Sequence, residues 1–318
     1  MFPFFANFRR PFAASVCFLL VSLGACVVTA AAQKRGWLWQ NPLPQGNALH
    51  TIRFAADGKR GWVVGADGVI LRTDNGGFTW EQQTSPAVAT LYGIFVEDRE
   101  RAVAVGARGV VLTTENGGRE WTPQSTGVKD HLYSVAFVKE IQNQKSAEDH
   151  KDTARLGWAV GTYGHIIATT DGGRTWRAQS SGVSAHLFSI SFADESRGLA
   201  VGEYGTLLLT TDGGASWKQQ EQAGGAALLS VAFASAKRAV AVGYGGVVLR
   251  TEDGGGTWQR IDVYSRTDLL SVYFIDEQRG WATGSGGLVL TTGNGGATWF
   301  PVSVKTNPRL STVCFVDE

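Results

Sequence analysis

Apolar and polar positions alternate along this chain in short runs of four to six residues, each cut off by glycine, aspartate or asparagine. Leu187-Phe188-Ser189-Ile190-Ser191-Phe192 is one such run. It is followed by Leu199-Ala200-Val201-Gly202, by Thr206-Leu207-Leu208-Leu209-Thr210, and by a fourth run from Trp217 to about Gln220. A period of two bounded by turn residues predicts β-strands, and no segment sustains a helical period. The separators are Asp/Glu-Arg-Gly, Gly-x-x-Gly and Asp-Gly-Gly, all strong turn formers.

The four runs recur. Their terminal tryptophans are Trp80, Trp121, Trp176, Trp217, Trp258 and Trp299, separated by 41, 55, 41, 41 and 41 residues. The single long interval carries a polar insertion at about 140–153 (EIQNQKSAEDHKDT), which has no apolar face and reads as a surface flap. Within each repeat the distance from the second run to the tryptophan is constant at 18 residues, as from Trp62 to Trp80 or Leu199 to Trp217. Fixed length fits a hairpin stack in which register matters. Four strands per repeat of about 40 residues predict an all-β fold, a β-propeller. The turn before each tryptophan reads Thr-x-Asp/Asn-x-Gly-x-x-Trp, as in Thr169-x-Asp171-x-Gly173-x-Thr175-Trp176, and resembles the Asp-box, or bacterial neuraminidase repeat. Its repetition in every blade marks these acids as turn formers rather than a catalytic set, because one catalytic centre needs different residues from different blades.

The two ends carry fragments of the same pattern. Trp37-x-x-Gln40 matches the start of the fourth strand, as in Trp80-x-x-Gln83, and Leu310-Ser311-Thr312-Val313-Cys314-Phe315 matches the first. The expected architecture is six complete blades plus an incomplete seventh shared by both termini, which closes the ring and removes sheet edges. Strands two and three of that blade are missing from the pattern. A full seventh blade would need roughly 25 more residues at this repeat length. A six-bladed ring with two stray strands is the alternative.

Composition and charge narrow the function. The 318 residues carry 29 basic and 28 acidic side chains, a net charge of +1, which argues against nucleic acid as a partner. Residues 1–32 read as a signal peptide: Arg9-Arg10, an apolar stretch from Phe12 to Val28, then Ala30-Ala31-Ala32, leaving 33–318 as the propeller domain. Leu23-Gly24-Ala25-Cys26 also resembles a lipoprotein processing box, which would put a lipid on Cys26 as the one membrane contact, and Arg9-Arg10 faintly resembles a twin-arginine signal. The expected location is periplasmic or extracellular. Beyond the signal only Cys314 remains, so neither a disulfide within the chain nor a zinc cluster is expected, and Cys314 reads as a small apolar strand residue.

The repeat Leu-x-Ser-Val-x-Phe, Gly-Trp-Ala-Val-Gly, Asp-Gly-Gly-x-Thr-Trp, best seen at 132–137, 157–161 and 171–176, resembles the photosystem II stability/assembly factor family over about residues 36–318. The resemblance implies a seven-bladed propeller on the lumenal or periplasmic side that is not an enzyme, takes no cofactor and binds an early reaction-centre protein through an arginine-rich patch. The motif does not place that patch on this chain. A monomer is expected.

Strand topology puts the loops from strand four to the next strand one and the turns from strand two to strand three on one face of the ring. Arg108, Tyr163, Tyr204 and Tyr244 in those turns, with His131 and His186 just before strand one, form a candidate partner-binding surface. As a metal pair the two histidines lack a third ligand. A carbohydrate-binding or sialidase-like propeller is the competing reading, since Asp-boxes occur there too. That chemistry needs an arginine cluster or two positioned carboxylates, and the loop acids Asp130, Glu221, Asp262 and Asp268 form no distinguished pair.

Overall fold

The computed structural model describes residues 46–138, 155–221, 225–304 and 309–315. The signal segment, Trp37–Gln40 and the insertion at 140–153 lie outside them. Six four-stranded antiparallel sheets follow one another, each with its strands in sequence order from the inside of the ring outward. Blade 1 consists of Leu49–Phe54, Gly61–Gly65, Ile70–Thr73 and Glu81–Gln82. The innermost strands of blades 2 to 6 are Leu91–Val96, Leu132–Phe137, Leu187–Phe192, Leu228–Phe233 and Leu269–Phe274.

Burial explains the sequence pattern. Second strands such as Gly61–Gly65 and Ala102–Gly106 are buried at every position, because neighbouring blades cover both faces. They therefore read as continuous apolar runs, whereas the half-covered innermost strands alternate. The outermost strands are two or three residues long and mostly exposed, with the glutamine that ends the longer ones half-buried. Trp217 ends the turn that precedes Lys218–Gln219 and is itself buried, so the fourth strand starts one residue later than its tryptophan.

The predicted turn chemistry is present in every blade. Thr169 Oγ1 accepts the N–H of Gly173 at 3.0 Å and donates to Asp171 Oδ1 at 2.8 Å, and the same oxygen accepts the N–H of Thr175 at 2.9 Å. Asn75 serves in blade 1 as Asp171 does in blade 3, accepting the N–H of Thr79 at 2.9 Å. Gly173 sits at φ +93°, a conformation that side chains with a Cβ rarely adopt. The tryptophan closes the turn, with Trp176 Nε1 donating to Gly173 O at 2.9 Å. The glutamine of Trp-x-x-Gln links blades. Gln83 Oε1 accepts from Trp62 Nε1 in its own blade and from Trp121 Nε1 in the next, at 3.0 and 3.1 Å. Gln179 accepts likewise from Trp217 Nε1 at 3.3 Å.

Between blade 6 and blade 1 lies the segment 309–315. Leu310 N donates to Gly284 O at 3.0 Å, Val313 N donates to Ser271 Oγ at 3.4 Å, and Phe315 stacks on Trp281 with ring centroids 3.8 Å apart. Cys314 packs among Leu49, Ile52 and Val63, and burial raises its thiol pKa. The segment takes the place of an innermost strand without forming one. Of the expected seventh blade, this is the part that falls among the described residues, and the structure shows six blades.

Candidate functional site at the channel mouth

Each innermost strand begins with a β-bulge. In blade 3 Leu132 pairs with Gly161 and Ser134 with Val160, which leaves Tyr133 unpaired between them. The same slip leaves His50, Tyr92, Phe188, Leu229 and Leu270 unpaired in the other blades. A bulge re-aims the extra side chain, and here Tyr133, Phe188, Leu229 and Leu270 line the central channel. The glycine opposite is required: a Cβ on Gly161 would stand 1.8 Å from the carbonyl oxygen of His131. The repeated glycine at the end of the second strand is thus the counterpart of the bulge.

The bulged residues of blades 1 to 4 form an aromatic half-collar. Ring centroids are 5.5 Å apart for His50 and Tyr92, 5.2 Å for Tyr92 and Tyr133, and 5.7 Å for Tyr133 and Phe188. Such spacings suit edge-on and tilted aromatic contacts. The collar is kept uncharged: burial first, then the nearby Arg309, lowers the pKa of His50, and burial followed by Tyr92 raises that of Tyr133. This column was not recognised in the sequence. Its signal is the position between the leucine and the small residue in each Leu-x-Ser run, visible only when the bulge is counted.

The sequence-predicted residues surround this collar. Arg108, Tyr163 and Tyr204 occupy the left-handed position of the turns between strands two and three, at φ +58°, +55° and +54°. Gly245 holds that position in blade 5, so Tyr244 sits one place earlier. The three tyrosines are 63%, 79% and 47% exposed, and Tyr264, in the loop leading to blade 6, is 94% exposed. His131 and His186 do something the sequence did not reveal. Nδ1 of His131 accepts the backbone N–H of Arg108 at 3.2 Å, and Nδ1 of His186 accepts that of Tyr163 at 3.0 Å. Each ring therefore carries its proton on Nε2 and fastens the turn of the preceding blade. Asp268 does the same for Gly245 at 2.9 Å. His131 also lies against the collar, 6.1 Å from Tyr92 and 6.2 Å from Tyr133 between ring centroids. Arg108, Tyr163, His131 and His186 are thus brought together at blades 2 to 4, while Tyr204 and Tyr244 lie further round the rim.

The Asp-box carboxylates belong to the opposite face and are engaged in their turns. Hydrogen bonds from the Ser216 hydroxyl and backbone hold Asp212 down to about 2. Desolvation would raise Asp253, but bonds from Thr257, Thr251 and Gly256 outweigh it and lower its pKa. Groups so held are bases too weak for general acid–base work near neutral pH.

Comparison with known proteins adds the family. The model described as photosynthesis system II assembly factor YCF48 matches residues 29–124, 139–220 and 179–267. The chain belongs to this family. A 61-residue stretch is 44% identical to the chloroplastic photosystem II stability/assembly factor HCF136 of Cyanidioschyzon merolae, covering 18% of this chain and 14% of that protein. The solved structure of YCF48 from Cyanidioschyzon merolae superposes with a TM-score of 0.64 at 21% identity, over 83% of this chain and 88% of that one. A structure described as YCF48 bound to D1 peptide gives 0.64 at 19% identity, over 82% of each chain. At these identities the structural matches speak for the fold.

Proposed function

We propose that this family member is an exported, non-enzymatic assembly factor that holds an extended segment of a membrane-complex protein at the channel mouth. The observation that carries the reading is the aromatic surface there. Tyr163, Tyr204, Tyr244 and Tyr264 stand exposed around a collar of His50, Tyr92, Tyr133 and Phe188. Exposed apolar surface collected on one face marks an interaction site, and tyrosine is favoured as an anchor. Membership of an assembly-factor family supports a protein partner, and a relative solved with a D1 peptide supports a reaction-centre subunit as its class. The location that goes with this partner is the periplasm, or the lumen in a photosynthetic host. The test is affinity capture from the host's membrane and periplasmic fractions with the wild-type chain and a Tyr163→Ala/Tyr204→Ala variant. Reaction-centre subunits retained by the first and lost by the second are expected. Retention of polysaccharide alone would overturn the reading in favour of a carbohydrate-binding propeller.

A further inference from the structure

Beneath the collar the channel becomes polar in an unbalanced way. The cavity there has a volume of about 110 Å3, and among the residues lining it Arg53 alone is charged. One layer below the bulges, the blades present Thr51, Ser134, Ser189, Ser230 and Ser271, and the C-terminal segment adds Thr312. Four of these hydroxyls are committed in the same sense. Ser134, Ser189, Ser230 and Ser271 accept the backbone N–H of Ile190, Val231, Val272 and Val313 at 3.4, 3.2, 3.2 and 3.4 Å. With the oxygen serving the next blade, the hydroxyl proton of each is left to donate. Arg53 adds a guanidinium whose hydrogen bonds to Ile52 O and Thr312 Oγ1, at 2.8 and 3.5 Å, both leave from Nη1. Its carbon lies 6.0 Å from the centroid of the Tyr273 ring, which fixes the side chain at the seam between blade 1 and the C-terminal segment.

We infer that the channel beneath the collar binds one compact oxyanion, held by Arg53, the four serine hydroxyls and Thr312, while Thr51 spends its proton on the carbonyl oxygen of Tyr92 at 2.6 Å. A fixed cation surrounded by oriented O–H donors, with no carboxylate in the lining, is matched to negative charge and repels a metal cation. The inference does not depend on the rim tyrosines, none of which lines the cavity, nor on the identity of a protein partner. A free phosphate or sulfate and the carboxylate of a peptide share the required chemistry.

The test is equilibrium dialysis of the exported protein against radiolabelled sulfate at constant ionic strength, with folding of each variant followed by circular dichroism. Saturable binding of one sulfate per chain is expected. Displacement by phosphate at lower concentration than acetate would assign the site to a tetrahedral inorganic ion. Displacement by acetate first would assign it to a carboxylate. Arg53→Gln is expected to weaken binding by about tenfold or more, the loss typical of one charge-assisted hydrogen bond. Ser230→Ala, which leaves the seam untouched, is expected to weaken it severalfold, and it decides the matter should Arg53→Gln fail to fold. No saturable binding by the folded chain, or equal binding by wild type and both variants, would overturn the inference.

Discussion

The two faces of the ring use their side chains in opposite ways. On the Asp-box face, charges are paired across blade boundaries. Arg60 of blade 1 bonds Asp74 at 2.6 Å and Glu100 of blade 2 at 3.1 Å, and Arg174 of blade 3 reaches Glu115 of blade 2 at 2.6 Å. Arg155 pairs with Glu97, and Arg238 of blade 5 donates to the carbonyl oxygen of Glu277 in blade 6 at 3.0 Å. On the mouth face, backbone hydrogen bonds, the two histidines, Asp268 and Glu203 hold the loops, and Tyr163, Tyr204, Tyr244 and Tyr264 are left exposed. Exposed ion pairs contribute little individually to stability. Their effect on the Asp-box face is to tie Arg60 and Arg174 to acids of the neighbouring blades, so that these side chains serve the frame. The difference teaches that repetition marks what builds the ring, and departure from repetition marks what the ring presents.

The largest way to break that contrast is in the frame itself. Trp62 is fully buried and shares Gln83 with the neighbouring blade's Trp121. Trp62→Ala is expected to cost about 3–5 kcal/mol in urea unfolding, as for other large aromatic truncations in cores. Next comes the Asp-box. Asp253→Ala removes the bonds to Thr251, Gly256 and Thr257 and is expected to cost about 1 kcal/mol, whereas Asp253→Asn should cost less, because asparagine already does this work at 75, 116 and 294.

The mouth face should behave differently. Tyr204 is exposed yet held at φ +54°, where glycine stands in blades 5 and 6. Tyr204→Gly is therefore expected to leave stability unchanged or raise it by up to about 1 kcal/mol, while partner affinity falls. A residue serving the frame would lose both together.

The smallest effect is a titration. Asp171, Asp212 and Asp253 have folded pKa values below the ordinary 3.8, so their contribution is complete above that value and is lost as the pH falls, for Asp212 through about 2. The boxes of blades 1, 2 and 6 carry asparagine and do not titrate. Hydrogen exchange, corrected for intrinsic rates, should show loss of protection on acidification in the turns at 171–176, 212–217 and 253–258, with those at 75–80, 116–121 and 294–299 unchanged. Equal loss in all six would contradict the assignment.

Much of the frame was legible before the structure because it is local. Thr169, Asp171, Gly173 and Trp176 act within eight residues of one another, and six copies made the period unmistakable. What was not legible involves neighbours in the ring. Trp-x-x-Gln was visible as a pattern, but that Gln83 reaches the tryptophan of the following blade depends on how blades pack. His131 and His186 read as free recognition residues until their Nδ1 atoms were seen to receive a neighbouring turn. The collar went unrecognised because a bulge inserts its residue between two paired ones, and the serines beneath it looked like ordinary strand positions.

The account's central claim is that the mouth face, and not the Asp-box face, receives the partner. The measurement that tests it most directly is calorimetric titration of a D1-derived peptide into three forms of the chain: wild type, Tyr133→Ala/Tyr204→Ala on the mouth face, and Arg60→Ala/Arg174→Ala on the other. The account predicts that the mouth variant loses about 2 kcal/mol or more of binding, the range of interface anchors, while the second variant binds as wild type does. Loss in the arginine variant with full binding by the mouth variant would contradict it.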